Sequence, residues 1–195
     1  MMKHLFKPII AILLLSLIVG GCKKDKEETV KNYFNYNGTE FTLSKGFLEN
    51  YGKSAANEGN NIDLTLLSSA YTIHVKNGEV DSISGTGDAL YFEMFTSLPD
   101  KLDVRDYLYD ETESFAAGTF DIGMVGMGFN MDTETGSNFD ITGGKVSVTS
   151  NGSEYEITIN CTTSNGKTIT GYYKGPLVYY NYDKKKKSGL RFPAR

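Results

Sequence analysis

Tryptophan is missing from this 195-residue chain, and histidine and cysteine each occur only twice. One of the histidines, His4, lies in an N-terminal segment that we expect to be removed, which leaves His74. Two cysteines cannot form a disulfide framework or a cysteine zinc site. One histidine argues against a histidine zinc site and against a Ser-His-Asp triad. We therefore expect no catalytic constellation of these kinds and no cofactor.

The chain also lacks an excess of positive charge, since its formal net charge is −4. A mildly acidic surface gives no electrostatic footprint for nucleic acid, so we expect no nucleic-acid partner. Lys184–Lys187 is a local basic run, which we interpret as part of a solvated C-terminal tail over residues 181–195.

An apolar stretch lies close to the N-terminus. Ile9–Val19 follows two lysines and is apolar except at Ser16. It is shorter than the about 20 residues that cross a bilayer as a helix. A positive start followed by a short apolar run predicts a secretory signal peptide over residues 1–21.

The residues after this stretch are Val19-Gly20-Gly21-Cys22. They resemble the lipobox of bacterial lipoprotein precursors, in which an aliphatic residue and two small residues precede a cysteine. The resemblance implies cleavage before Cys22 and acylation of Cys22 with chains such as palmitate. Two or more chains anchor a protein stably to a membrane.

Lys23–Glu28 is a short charged run after the cysteine. Such a run cannot bury itself, so residues 22–30 are expected to form an acylated flexible tether. The run is similar to the export signals of Bacteroidetes surface lipoproteins. This similarity implies an outer-membrane lipoprotein of the cell envelope that is exposed at the surface.

The composition beyond the tether favours β-structure, because 13 tyrosines, 11 phenylalanines and 21 glycines accompany few helix-period segments. We predict a single antiparallel all-β domain over residues 31–180, either a β-sandwich or a β-barrel. Cys161 falls at an inward position of a predicted strand and should be a small buried hydrophobe.

Asn-Gly pairs predict two-residue type I′ turns. At Asn37-Gly38 this loop places Phe34 opposite Phe41. At Asn77-Gly78 it places Val75 opposite Val80.

The third Asn-Gly pair is Asn151-Gly152. A two-residue loop there pairs Val148 with Tyr155 and Val146 with Ile157. One buried face then carries six alternating residues, namely Val146, Val148, Tyr155, Ile157, Ile159 and Cys161.

At Ser164-Asn165-Gly166 a two-residue loop would put the next strand on the wrong face. A three-residue loop with left-handed Gly166 instead pairs Cys161 with Ile169 and Ile157 with Tyr173.

Further strands are predicted at Ile62–Leu67 and Leu90–Phe95, and a glycine-punctuated pair at 118–122 and 126–131. The segment 98–113 is compatible with a helical turn or with a short edge strand.

Two segments carry a family resemblance. Ile141–Leu177 contains Ile141-Thr142-Gly143-Gly144-Lys145-Val146 and Gly171-Tyr172-Tyr173-Lys174-Gly175-Pro176-Leu177, and Phe41–Phe47 reads Phe-Thr-Leu-Ser-Lys-Gly-Phe. Both are similar to an uncharacterised group of Bacteroidetes surface lipoproteins. The resemblance implies a β-sandwich or β-barrel on the cell envelope and no established activity.

Several residues are candidates for binding. Oxygen ligands around Gly136 suggest calcium, and late tyrosines suggest a glycan-stacking platform. Asp81-Ser82-Ile83 resembles a Bacteroidetes O-glycosylation acceptor, with Ser82 as the modified residue. The calcium candidates are Asp132, Glu134, Asn138 and Asp140, and the stacking candidates are Tyr172, Tyr173, Tyr179 and Tyr180.

These features give three functional hypotheses. The first is a non-enzymatic, lipid-anchored envelope protein whose β-domain binds glycan or protein at the cell surface. The second is a lipocalin-like carrier with a barrel cavity for a small apolar ligand. The third is a hydrolase that uses paired carboxylates, although the sequence nominates no pair.

Overall fold

The computed structural model describes residues 31–182, which form thirteen β-strands and no helix. No helix in this range could therefore cross a membrane. The predicted lipidation site Cys22, the predicted tether and the part of the predicted tail from residue 183 lie outside the described residues. The strands are β1 (Tyr33–Tyr36), β2 (Thr39–Thr42), β3 (Lys45–Gly52), β4 (Asn60–Leu67), β5 (Thr72–Lys76), β6 (Glu79–Ser84), β7 (Thr86–Thr96), β8 (Arg105–Tyr109), β9 (Thr119–Asn130), β10 (Thr135–Asn151), β11 (Tyr155–Thr163), β12 (Thr168–Gly175) and β13 (Val178–Asn181).

Eleven strands form one sheet in the order β13-β3-β4-β7-β9-β8-β10-β11-β12-β1-β2, and β9 also pairs with β10. The sheet curls into a half-barrel, and β5 and β6 form a separate hairpin. The all-β prediction of a sandwich or barrel type is thus confirmed. Two pairings depart from the antiparallel pattern, because β13 runs parallel to β3 and β8 runs parallel to β9.

The inner face of the sheet holds the main hydrophobic core. Alternating positions of neighbouring strands point inward, as the two-residue period of a strand requires. Leu64 on β4, Phe92 on β7 and Phe120 on β9 are fully buried there, together with Ile157 on β11. The inner face is therefore filled by side chains.

The outer face of β3, β4 and β7 is also largely buried. Every residue of β4 is buried, which is unusual for a sheet with one solvated face. The β5–β6 hairpin covers one half of this outer face through a second cluster that includes Phe47, Leu67 and Ile83. The Tyr71 hydroxyl sits beneath the hairpin, within 2.9 Å of Gly87 O and 2.8 Å of Phe129 O.

Three of the four predicted hairpin registers are confirmed. Phe34 pairs with Phe41, and Val75 pairs with Val80. Both Asn-Gly turns have positive φ at both residues, as type I′ geometry requires. In the fourth hairpin Cys161 pairs with Ile169, and Gly166 has φ +75°.

The predicted register of the third hairpin is wrong. Val148 pairs with Ile157 and Asn151 pairs with Tyr155, with a bulge between Val148 and Ser150. The Asn151 side chain donates to Leu102 O at 2.8 Å, so this tertiary contact takes the residue away from a type I′ turn. A shift of two residues keeps each side chain on its face, which explains why the predicted buried face is nonetheless confirmed.

The predicted pair at 118–122 and 126–131 is wrong, since one strand, β9, runs through both segments. Gly123 and Gly126 mark close approach and not turns. A Cβ on Gly123 would lie 3.0 Å from Ile141 Cβ.

In the ambiguous segment 98–113, β8 confirms the strand alternative, although β8 lies between β9 and β10 and not at an edge. Tyr182 is buried, two residues beyond the predicted end of the domain.

We predict that Gly144→Ala destabilises the fold by about 1–3 kcal/mol. Gly144 has φ +101°, and a Cβ there would meet Asn160 O at 2.3 Å and Cys161 Cα at 2.5 Å. Its neighbour Gly143 is the matched control, because a Cβ there meets nothing within 4 Å. Urea unfolding of both variants checks this, and equal losses for the two would contradict it.

Candidate functional site

A row of carboxylates crosses the outer face of the sheet. Glu49 on β3 is the cross-strand partner of Asp63 on β4, and Asp63 is the partner of Glu93 on β7. The three residues are only 1%, 4% and 8% exposed. Carboxylates are rarely buried to this degree without compensation. The half of the outer face that the β5–β6 hairpin leaves uncovered is therefore polar and desolvated.

Hydrogen bonds compensate the burial of these carboxylates. Asn61 Nδ2 donates to Glu93 Oε1 at 3.0 Å and to Asp63 Oδ1 at 3.3 Å. The Tyr91 hydroxyl donates to Asp63 Oδ2 at 2.5 Å. Asn61, Asp63 and Glu93 are thus linked into one network that extends across two strands.

Tyr182, the residue after β13, lies at the Glu49 end of the carboxylate row. The Tyr51 hydroxyl donates to Glu49 Oε1 at 3.4 Å, and the Tyr51 ring stacks on Tyr182 at 5.2 Å between centroids. The Tyr182 hydroxyl in turn accepts from Val80 N at 2.8 Å. Tyr182 therefore connects the carboxylate row to the covering hairpin.

A cleft of about 210 Å³ opens at the other end of the row. Two loops, at 53–59 and 110–118, stand over the ends of β4, β7 and β9 and form its rim. Gly59 N donates to Phe115 O at 2.8 Å, so the two loops are joined directly. The lining residues are Ser54, Glu58, Gly59, Asn61, Glu93, Phe95, Glu113, Phe115, Asp121 and Ile122.

The 110–118 loop has a constrained backbone. The Ser114 and Thr112 hydroxyls donate to the Asp110 carboxylate, and the backbone N–H groups of the same two residues donate to it at 2.9 and 3.0 Å. These bonds, those of the two hydroxyls above all, hold the pKa of Asp110 below its usual range. Glu113 and Phe115 have φ of +52° and +55°. A left-handed conformation is uncommon for a bulky residue such as Phe, and such strain is concentrated at functional sites.

An aromatic wall forms one side of the cleft. The Phe95 and Phe115 ring centroids lie 5.2 Å apart with the planes tilted by 47°. Phe95 is buried, whereas Phe115 is half-buried and remains reachable from the cleft.

The electrostatics of the cleft are one-sided. Glu58, Glu93, Glu113 and Asp121 line it, and no lysine or arginine is among the lining residues. Burial, and then the charge of Glu93, raise the pKa of Asp121 to about 6. Asp121 Oδ1 is buried without a hydrogen-bond partner within residues 31–182. The cleft is therefore suited to a ligand that donates hydrogen bonds.

The predicted calcium residues do not gather. Within the described part of the chain, no three His, Cys, Asp or Glu side chains lie close enough to hold a metal ion. Asp132 instead accepts from Gly85 N at 3.0 Å, Glu134 lies in the β9–β10 turn region, and Asp140 is exposed on β10. Asn138 lies on β10. The structure therefore gives the calcium hypothesis no support.

The four predicted stacking tyrosines do not form one platform. Tyr172 and Tyr173 are adjacent on β12 and point to opposite faces, and Tyr173 is buried. Tyr179 and Tyr180 lie on β13, which pairs with β3 at the other end of the strand order. Sequence proximity placed them together, whereas strand alternation and the crossover separate them.

The remaining predicted residues are placed as follows. His74 is exposed on β5 and lies 2.7 Å from Ser84 Oγ. Ser82 is half-buried on β6 opposite His74. Cys161 is a free, buried cysteine as predicted, and burial raises the pKa of its thiol to about 12.

The carboxylate row was not predicted from the sequence, although one signal for it was present. Asp63 stands between Ile62 and Leu64, and Glu93 between Phe92 and Met94. An acidic residue inside an apolar strand run indicates a buried carboxylate, and a buried carboxylate requires hydrogen-bond partners. The pairing of β4 with β7 then brings these residues together.

The comparisons with known proteins return no relative. No protein-family model, no curated protein and no solved structure matches the chain.

We predict that the protein loses stability as the pH rises from about 4.5 to about 7. Burial raises the pKa of Glu49 from 4.5 to about 7, despite hydrogen bonds from Tyr182 and Tyr51. The folded protein therefore keeps a proton that the unfolded chain releases in this window, which corresponds to about 3 kcal/mol. Asp121 should also lower the stability as the pH rises, but at lower pH, because its pKa is raised from 3.8 to about 6.

The measurement is the free energy of unfolding against pH for the wild type and Glu49→Gln. The variant should show a much flatter curve, and Glu154→Gln in the exposed β10–β11 turn is the control. Parallel curves for the wild type and Glu49→Gln would contradict the assignment.

Proposed function

We propose that this chain is a non-enzymatic, lipid-anchored protein of the outer membrane, and that its β-domain binds a glycan in the cleft between the 53–59 and 110–118 loops. The observation that carries the proposal is the combination of hydrogen-bond acceptors with an aromatic wall in one concave site. The proposal includes a surface location of the Bacteroidetes type, which the residues around Cys22 support.

The chemistry of the lining matches a sugar ring. Sugar hydroxyls donate hydrogen bonds, and the carboxyl groups of Glu93 and Asp121 offer acceptor oxygens to them. The amide oxygen of Asn61 adds a further acceptor, because its Nδ2 already donates to Glu93 and Asp63. The Phe95–Phe115 wall offers an apolar surface to the C–H face of a ring.

The alternatives have less support. A lipocalin-like carrier needs a hollow barrel, whereas the inner face of this half-barrel is filled by side chains such as Phe34, Phe92 and Tyr173. A carboxylate hydrolase now has a nominated pair in Glu93 and Asp121, which both line the cleft. Glu93 is, however, 8% exposed and bonded to Asn61, which suits a fixed binding group better than a nucleophile.

We predict that Phe115→Ala weakens glycan binding at least tenfold, because it removes the exposed half of the aromatic wall. The assay is a glycan-array screen followed by calorimetry, with full-length protein in detergent. Tyr179→Ala is the matched control, since Tyr179 is a 37% exposed tyrosine on β13, away from the cleft. If only Tyr179→Ala loses glycan binding, the cleft is not the binding site, and a tyrosine platform is favoured.

We further predict that Cys22→Ser moves the protein from the membrane fraction to the soluble fraction of cells. The thiol is the acylation site in the proposed anchor, and serine offers no equivalent nucleophile. Fractionation and intact mass measure the result. An unmodified mass for wild-type protein at Cys22 would rule the anchor out.

A further inference from the structure

Resting on the proposed glycan site, we infer that the cleft takes a single terminal sugar ring without negative charge and rejects acidic sugars such as uronic acids. The inference names the ligand class and the binding mode, and it follows from the volume, the rim and the charge of the cleft.

The size of the cleft limits what it can hold. Its volume of about 210 Å³ is below the about 300–1,000 Å³ of typical small-molecule sites. One ring with its hydroxyls is therefore the largest sugar unit that can enter, and any further units of a glycan must remain outside. The site recognises a chain end.

The rim enforces the same limit. The hydrogen bond from Gly59 N to Phe115 O joins the two loops across one side of the cleft. The bond from Gly118 N to Phe95 O, at 2.7 Å, fixes the second loop to β7. A chain that continued past the ring on this side would meet these bonded backbones.

The charge of the lining selects against anions. A uronic acid would bring a carboxylate beside Glu93, which is buried, and beside Glu113 on the rim. Like charges that share a desolvated site repel strongly. The nearby Arg105 does not neutralise an acidic sugar in the cleft. Its guanidinium lies against Gly118 and pairs with Asp103 at 3.7 Å.

The same charges favour a protonated amine. An ammonium group donates three hydrogen bonds and is attracted by aromatic faces such as the Phe95–Phe115 wall. The expected order of affinity at neutral pH is therefore amino sugar, then neutral sugar, then acidic sugar.

The test is calorimetry on full-length protein in detergent with galactosamine, galactose and galacturonic acid, which share one ring and differ in charge. A second series compares a neutral monosaccharide with its trisaccharide. We expect galacturonic acid to bind at least tenfold more weakly than galactose, which corresponds to about 1.4 kcal/mol. We expect the affinity for the trisaccharide to lie within about threefold of the affinity for the monosaccharide. Glu113→Gln should reduce the ratio of the affinity for galactose to the affinity for galacturonate at least threefold.

Galacturonate binding equal to galactose would overturn the charge selection while leaving the proposed glycan function intact. Affinity that climbs steadily with chain length would overturn recognition of a chain end and again leave the function intact. If no sugar binds to the wild-type protein, and none changes its melting temperature, the proposed function is refuted together with the inference.

Discussion

The burial of strands β3, β4 and β7 on both faces is the constraint on which the rest of the structure depends. The half-barrel core covers only their inner face. The outer face needs a second cover, and the chain supplies two different kinds. The β5–β6 hairpin covers the apolar end, where Phe47 and Leu67 point outward. Beyond it the outward residues are Glu49, Asp63 and Glu93, and an apolar cover there would leave carboxylates without solvent or partners. The chain covers this end with loops and tyrosine hydroxyls instead, and the cleft lies where that cover is incomplete.

This arrangement is costly for stability. Like charges placed directly opposite on adjacent strands are destabilising, and Glu49 and Asp63 are such a pair. The cost is reduced in two ways: Tyr91 and Asn61 donate to Asp63, and burial favours the neutral form of Glu49. A core of leucines at these positions would be easier to bury. The polar row is therefore best understood as part of a site, in the same way as the left-handed Glu113 and Phe115.

The sequence predicted the fold well where local chemistry decides the backbone. Asn37-Gly38, Asn77-Gly78 and Gly166 each have a conformation that few other residues adopt, and their hairpins have the predicted registers. It failed where a distant contact decides. Asn151 is held by Leu102, and Gly123 is small because Ile141 lies against it. The cleft was missed for the same reason, since its residues come from strands and loops that meet only through the long-range pairing of β4, β7 and β9.

The order of the strands also separates the first two strands from the proposed site. β1 and β2, the first strands of the described chain, lie at one end of the strand order. The cleft lies on β4, β7 and β9, towards the other end. It also lies on the outer face, so the sheet itself stands between the cleft and the main core. Residues of the two loops can therefore change without disturbing inner-face packing, because loops that connect rigid strands tolerate substitution better than the strands do. A β-domain built in this way can keep one core while the rim of its cleft adapts to different ligands.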